Sequence, residues 1–107
     1  TWIWMHTWEI GKVNREAVLK AIDDLASIPG AYQEPGLRQN LFVFDEQKGE
    51  AGHVMLWDIK PERHMFNQAA IKISNERWGN FLKSQGLTDV PSRIVCFEVI
   101  EPNVKPQ

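Results

Sequence analysis

The stretch TWIWMHTWEI, residues 1–10, alternates two kinds of side chain at every second position. Large aromatic and imidazole groups form one set, and mostly aliphatic groups form the other. The first set is Trp2, Trp4, His6 and Trp8, and the second is Ile3, Met5 and Thr7. In a β-strand, successive side chains point to opposite faces of the sheet. Because a small domain usually has one helix layer, this strand predicts a sheet whose second face needs another partner.

The length and charge of the chain exclude several classes of protein. Its 107 residues fit one domain, which buries roughly 65% of the surface of the unfolded chain. The formal net charge is −2, with no basic face to neutralise a nucleic acid or an anionic membrane. No apolar run approaches the ~20 residues of a membrane span, and the single cysteine excludes an internal disulfide. We expect a soluble cytoplasmic protein. In this interpretation Thr1 is the first residue after removal of the initiator Met, and the residues after it lack the features of a signal peptide.

The first half of the chain predicts a strand, a helix and a hairpin. Gly11 ends the first strand, and Asn14 can cap a helix whose apolar residues recur at helical spacing from Val18 onward. Two Pro-Gly pairs then separate this helix from the second strand. The polar segment DEQKGE, with Gly49, predicts a tight turn into the third strand. The predicted ranges are β1 over 2–10, α1 over 15–27, β2 over 41–44 and β3 over 53–57.

The second half predicts two helical segments and a last strand. No proline interrupts the chain between Pro61 and Gly86, but the apolar residues there do not form one continuous stripe. We therefore expect a short helix, a bend and a main helix with Ser74 or Asn75 as its N-cap. The tail EPNVKPQ carries two prolines and cannot extend a central strand. The predicted ranges are the short helix over 61–70, α2 over 74–85, β4 over 93–100, a single domain over 1–100 and a tail over 101–107.

The order βαββαβ predicts an α+β, ferredoxin-like sandwich, with both helices on one face of a four-stranded antiparallel sheet. Both alternating sets of side chains in β1, β3 and β4 are largely apolar, although helices cover only one face. If the Trp residues of β1 lay on the uncovered face, the patch would reach ~450 Å². Its burial would contribute on the order of 10 kcal/mol, comparable to the net stability of a domain. We therefore expect a twofold homodimer with sheet packed on sheet, whichever face of β1 meets the helices.

Several segments resemble one known family over nearly the whole chain. They are IPG at 28–30, FDEQKGEAGHVMLW at 44–57, LWD at 56–58 and FEVI at 97–100. With these segments the chain resembles the dimeric α/β-barrel proteins of the antibiotic-biosynthesis monooxygenase type. The resemblance implies the same fold and a homodimer. In well-understood members it also implies cofactor-free oxygenation of aromatic polyketides.

The resemblance also implies where site residues lie. In the family, an Asn and a Trp on β3, a Tyr just after it and an Arg on α2 are associated with the oxygenation. Trp57 matches the family Trp and Arg77 the family Arg. The Asn place is occupied by His53 and the Tyr place by Arg63, so the chain departs from the pattern twice. Haem-degrading relatives carry an iron-ligating His on α2, where this chain has residues 75–77 without a His, so we expect no haem cofactor.

His53 and Trp57 are the candidate catalytic residues. They share one face of β3, where the imidazole could accept a proton near neutral pH beside an aromatic wall. The alternative is that His53 is a hydrogen-bonded residue of the core or of an interface. The catalytic hypothesis requires a cavity that reaches His53 and a perturbed pKa there.

Four other residues are candidates for substrate binding, namely Arg63, Arg77, Trp78 and His6. Arg77 could anchor a carboxylate or phenolate while Trp78 stacks on the ligand. A solvated charge beside a core Trp explains the same pair equally well. His6 lies between two Trp residues of β1 and could face a ligand, although a role in the dimer interface is favoured.

The spacing of the remaining polar residues disfavours other chemistry. The histidines are separated by 47 and 11 residues, with no H-x-H pair and no HExxH motif, so we expect no metal site. Cys96 lies in the middle of β4 and predicts a buried, inert thiol. RNA-recognition modules share the βαββαβ order, but KGEAGHVMLW lacks their aromatic pattern for stacking on bases.

Two hypotheses from different classes therefore stand. The first is a metal-free and cofactor-free oxygenase-like homodimer that acts on a small aromatic compound held between the sheet and the helices. In it, His53 is the proton acceptor, Trp57 and Trp78 are walls, and Arg77 anchors an anion. The second is a non-catalytic ligand-binding or accessory homodimer, whose aromatic residues pack the core and the interface.

Overall fold

The alternating stretch at the start of the chain forms a central strand of the sheet. The computed structural model describes residues 1–100 and gives four antiparallel strands in the order β2-β3-β1-β4, with both helices on one face. The predicted ferredoxin-like α+β fold is thereby confirmed. The elements are β1 (Trp2–Glu9), α1 (Arg15–Ala26), β2 (Leu37–Asp45), β3 (Glu50–Trp57), a 3-10 turn (Arg63–Met65), α2 (Gln68–Ser84) and β4 (Ser92–Glu98).

The Trp and His set of β1 faces the helices. Trp8 packs against Trp78 of α2 with ring centroids 5.5 Å apart, beside a core that joins α1, α2 and β3. That core contains Ile10, Val18, Leu25, Ile28, Ala51, Ala70 and Trp78. The sequence left this orientation undecided, and the structure shows that the Trp and His set lies on the helix side of the sheet, where it is partly buried.

The register between β1 and β3 brings two histidines face to face. His6 is the direct partner of His53 across the two strands, so both imidazoles lie on the helix side of the sheet. The next residue pair is Thr7 with Gly52 on the opposite face. A Cβ atom at Gly52 would collide with the backbone of His6 and Thr7, so the close approach of these strands requires glycine there.

The opposite face of the sheet is uncovered and apolar within residues 1–100. Strand registers place aliphatic and aromatic side chains of all four strands on it. They are Ile3, Met5, Leu41, Val43, Val54, Leu56, Val95 and Phe97. We call this set the open sheet face, and on it Leu41 is 44% exposed and Phe97 is 56% exposed. The Trp residues of β1 do not contribute to it, so the ~450 Å² estimate made for them does not apply.

Helix α2 starts earlier than predicted. Asn67 is its N-cap and accepts a hydrogen bond from the backbone N–H of Ala70 at 3.1 Å. The predicted caps, Ser74 and Asn75, lie inside the helix. Their polar side chains interrupt the apolar stripe because they face a cavity instead of a packed core. The predicted helix over 61–70 is reduced to the 3-10 turn, since Phe66 has an extended backbone conformation.

Other boundaries shift by a few residues, and one expectation about burial is wrong. β2 and β3 begin at Leu37 and Glu50, because the two strands pair along almost their whole length. Cys96 is exposed, contrary to the predicted buried thiol, because β4 is an edge strand. The tail predicted over 101–107 lies outside the described residues. No helix in the described 1–100 range has the length and hydropathy needed to cross a membrane.

Replacing Asn67 by Ala should lower the free energy of unfolding by about 1–2 kcal/mol, because the Asn67 side chain makes two hydrogen bonds. It caps α2 and also donates from Nδ2 to the carbonyl of Gly30 at 3.2 Å. Urea unfolding followed by circular dichroism measures the change. The matched control is Asn80→Ala at an exposed position inside α2, which should change stability by less than about 0.5 kcal/mol. Equal effects of the two substitutions would contradict the capping role.

Candidate functional site

A cavity of about 390 Å³ lies between the sheet and α2. Its size suits a small organic ligand, and its lining is mainly aromatic and aliphatic with several polar groups. We call it the main cavity. The strands contribute Trp4, His6, Trp8, His53, Met55 and Ile94, and α2 contributes Gln68, Ala70, Ile71, Ser74 and Asn75. The connecting segments contribute Ala31, Tyr32, Glu34, Pro61, Arg63, Phe66 and Asn67.

His53 lies in this cavity and is held by a side chain from β2. Its Nδ1 atom is 2.7 Å from the Oδ1 atom of Asn40. Burial, together with a smaller effect of the neighbouring His6, lowers the pKa of His53 to about 4. His53 is therefore a neutral imidazole at pH 7. The catalytic hypothesis required a cavity that reaches His53 and a perturbed pKa of that residue, and the structure has both.

His6 forms the adjoining part of the same wall. Its ring stacks on Trp8 with centroids 3.7 Å apart and meets the edge of Trp4 at 5.9 Å. Burial lowers its pKa, and within residues 1–100 its buried Nε2 atom has no hydrogen-bond partner. The favoured interface role is therefore wrong for the open sheet face, because His6 points to the helix side.

Aromatic rings enclose the two imidazoles. Trp4 lies 5.3 Å from the His53 ring and 5.3 Å from the Phe66 ring, between centroids. Tyr32 and Phe42 are each 6.2 Å from His53. This enclosure displaces water from the histidines, which is the physical cause of their lowered pKa values.

The loop between α1 and β2 supplies two site residues that the sequence analysis did not identify. Tyr32 and Glu34 line the main cavity, and Tyr32 has a positive φ of 61°. Burial raises the pKa of both side chains. The sequence did carry a signal for them, because its single Tyr and an acidic residue lie between two Pro-Gly pairs. Loops held at both ends by rigid segments often carry binding residues.

The structure brings together only some of the residues proposed from the sequence. His53, His6 and Arg63 all line the main cavity. Trp57 does not, because its side chain is 0% exposed and packs behind Phe66 at 5.2 Å. Trp78 instead lines a smaller cavity of about 40 Å³ that shares His53 and Ser74 with the main one.

Arg77 lies away from the main cavity. Its guanidinium donates to the backbone carbonyl of Asp24 at 3.0 Å and lies 3.4 Å from a carboxylate oxygen of the same residue. It therefore links α2 to α1 in this structure. Among the described residues, no cluster of three His, Cys, Asp or Glu side chains could hold a metal ion.

Comparison with known proteins supports the fold. A crystal structure of a candidate antibiotic biosynthesis monooxygenase from Deinococcus radiodurans matches with a TM-score of 0.53 and 20% sequence identity. The match covers 99% of this chain and 100% of that chain. Neither a protein-family model nor a curated protein matches the sequence. The resemblance stated from the sequence is thus confirmed for the architecture.

The low pKa of His53 predicts that the protein loses stability as pH falls. In the unfolded chain His53 binds a proton near pH 6.5, whereas in the folded chain it does so only near pH 4. The contribution of the neutral His53 to the free energy of unfolding is therefore fully present above pH 6.5. It decreases as the pH falls from 6.5 to 4, by up to about 3 kcal/mol in total. His53→Gln should flatten that part of the stability profile, as measured by urea unfolding at a series of pH values.

The matched control for this experiment is His64→Gln. His64 has a side chain that is 76% exposed, so its replacement should leave the pH dependence of the wild type in place. A His53→Gln variant with the same slope as the wild type would show that the folded chain does not keep this imidazole neutral.

Proposed function

We propose that this chain is a homodimeric protein of the antibiotic-biosynthesis monooxygenase type that oxygenates a small aromatic compound without a cofactor. The observation that carries the proposal is an aromatic-walled cavity that ends at a buried, neutral imidazole. The rings of Trp4 and Phe66 offer faces and edges for stacking on a planar ligand. The proposal assigns this ligand to the main cavity.

His53 is the proton acceptor in this proposal. Removal of an acidic ring CH₂ proton by His53 leaves a ligand carbanion, which passes one electron to O₂ without help from a metal or a flavin. The ligand radical and superoxide then form a C–O bond, and the proton returns from His53 to give a hydroperoxide. Breaking of the O–O bond with loss of water leaves a C=O group on the ligand. Because the pKa of His53 is lowered to about 4, the imidazolium forms readily only while the ligand anion lies beside it. Deprotonation and retention of the anion are therefore coupled.

Arg63 and Trp4 take over roles that the sequence analysis gave to other residues. Arg63 lines the main cavity and can attract an anionic group, whereas Arg77 would have to leave Asp24 to do so. Trp4 serves as the aromatic wall, while Trp57 supports Phe66 from behind. Trp78 closes the smaller cavity next to His53.

A second candidate function is ligand binding without catalysis. The low pKa of His53 favours it, because a weak base can accept a hydrogen bond from a ligand without removing the proton. The Nε2 atom of His6, which has no hydrogen-bond partner among residues 1–100, fits this candidate as well, because it could bond to a polar group of the ligand. Both candidates use the same cavity and differ in whether oxygen is consumed.

Oxygen uptake with an anthrone-type aromatic, which has an acidic ring CH₂, separates the two candidates. We expect uptake by chelator-treated protein, with a rate at least about 100-fold lower in His53→Gln and unchanged in His64→Gln. Quenching of tryptophan fluorescence, measured without oxygen, reports binding. Binding without oxygen uptake would support the second candidate. Neither binding nor uptake across a panel of hydroxylated polycyclic aromatics would reject the proposal.

The homodimer is proposed to form through the open sheet face. Its aliphatic side chains have no cover within residues 1–100, and a second copy placed on a twofold axis would cover the same set. Such a contact would have the character of a sandwich core, in which two inner faces interdigitate. Assembly also stiffens β1 and β3, which carry His6 and His53 on their other side.

Leu41→Lys should weaken dimerisation at least about tenfold, because it places a charge within an apolar contact. The matched control is Leu19→Lys, since Leu19 is 42% exposed on α1 and Leu41 is 44% exposed on the open sheet face. Size-exclusion chromatography with light scattering over a dilution series measures the change. A wild-type protein that is monomeric at all concentrations, or equal effects of the two substitutions, would reject this interface.

A further inference from the structure

We propose that Asn40 is a positioning residue that holds His53 in its Nδ1–H tautomer, so that the cavity offers a hydrogen-bond acceptor at Nε2. An aromatic ligand that donates through a hydroxyl group is then favoured over an ether or a carboxylate. The preference for a donor rests on the proposed function, because it requires that an aromatic compound binds in the main cavity. The role of Asn40 does not depend on any ligand.

The geometry that carries this inference is the contact between the two side chains. The Oδ1 atom of Asn40 is an amide oxygen, which can only accept, and it lies 2.7 Å from Nδ1 of His53. The shared proton therefore belongs to Nδ1. A neutral imidazole carries one N–H, so Nε2 has a free lone pair.

The surroundings of His53 hold this arrangement in place. Asn40 lies on β2, one pleat away from Phe42, which is the direct strand partner of His53. The Phe42 ring is nearly parallel to the His53 ring, with an angle of 24°, and the Trp4 ring meets it at 74°. Rotation of the imidazole would break a partly buried hydrogen bond inside this aromatic enclosure, and an unpaired polar group there costs more than the bond contributes when formed.

The polar character of the cavity follows from the tautomer. Burial lowers the pKa of His53 and of the adjacent His6, so among residues 1–100 neither imidazole offers this end of the cavity a cation for a carboxylate at pH 7. Arg63, the cation that lines the cavity, is exposed to solvent. The hydroxyls of Tyr32 and Ser74 can donate or accept and so adapt to either kind of ligand. A phenolic hydroxyl that donates to Nε2 of His53 therefore pairs the acceptor that this tautomer leaves free.

The tautomer can be measured in the free protein by ¹⁵N NMR of the imidazole nitrogens at pH 7. We expect a pyrrole-type Nδ1 and a pyridine-type Nε2 for His53 in the wild type, and a mixture or the reverse in Asn40→Leu. Asn40→Asp keeps an acceptor and should restore the Nδ1–H form, with an upward shift of the pKa of His53. Asn80→Leu, on the exposed side of α2, is the matched control and should resemble the wild type.

Two results would overturn the role of Asn40. One is an Nε2–H tautomer in the wild type, which would mean that the amide nitrogen of Asn40 faces the ring. The other is an unchanged tautomer in Asn40→Leu. If Asn40→Leu is unfolded by circular dichroism, the wild-type tautomer and the pKa shift in Asn40→Asp still decide the question, because both follow from the same contact.

Ligand preference is tested with 1-naphthol, 1-methoxynaphthalene and 1-naphthoate. We expect 1-naphthol to bind the wild type about tenfold more tightly than either analogue, and to lose most of this advantage in Asn40→Leu. Equal affinity for naphthol and its methyl ether would overturn the donor preference alone. If none of the three binds, the donor preference fails together with the proposed function, whereas the tautomer still decides the role of Asn40.

Discussion

The pairing of β1 with β3 is the constraint on which the rest of the molecule depends. It places His6 opposite His53 on the helix side and Thr7 opposite Gly52 on the other side. Strand alternation then sorts the side chains, because every second residue belongs to the cavity wall and the rest belong to the open sheet face. One register therefore determines both the chemistry of the cavity and the apolar surface available for assembly.

The cavity combines a large aromatic surface with a small number of polar groups that are kept neutral. Trp4 and Trp8 cover the imidazoles of β1 and β3, and burial holds both pKa values below the usual range for histidine. A site of this kind gains affinity from apolar contact and orientation from a few hydrogen bonds. Its basicity is low in the empty state and rises only when an opposite charge is present. Binding and proton transfer thus depend on each other.

The architecture could be predicted from the sequence because strands and helices are indicated by the spacing of apolar residues, and this spacing is a local property of the chain. The structure places His53, His6 and Arg63, all proposed from the sequence, on the wall of the cavity. Strand parity put His53 on one face of β3, but it left open which face of β1 meets the helices, so an interface role was favoured for His6. Asn40 was not identified from the sequence. This residue reaches His53 only because of the register in which β2 pairs with β3, and the sequence of the hairpin did not reveal that register. Arg77 was proposed from the sequence as an anion anchor, with a solvated charge as an equal alternative. The direction of Arg77 depends on the rotation of α2 against α1, which the pattern of a single helix does not specify.

The loop between α1 and β2 lies outside the strand pairing, yet it contributes Tyr32 and Glu34 to the cavity. Evolution can therefore lengthen or rewrite this loop to accommodate a new compound without disturbing either histidine. The hairpin at residues 46–49 has no such freedom, because one inserted amino acid that shifted the pairing would exchange inner and outer side chains along β3. Divergence among proteins built on this plan should accordingly concentrate in the first connection, while the length of the hairpin stays constant.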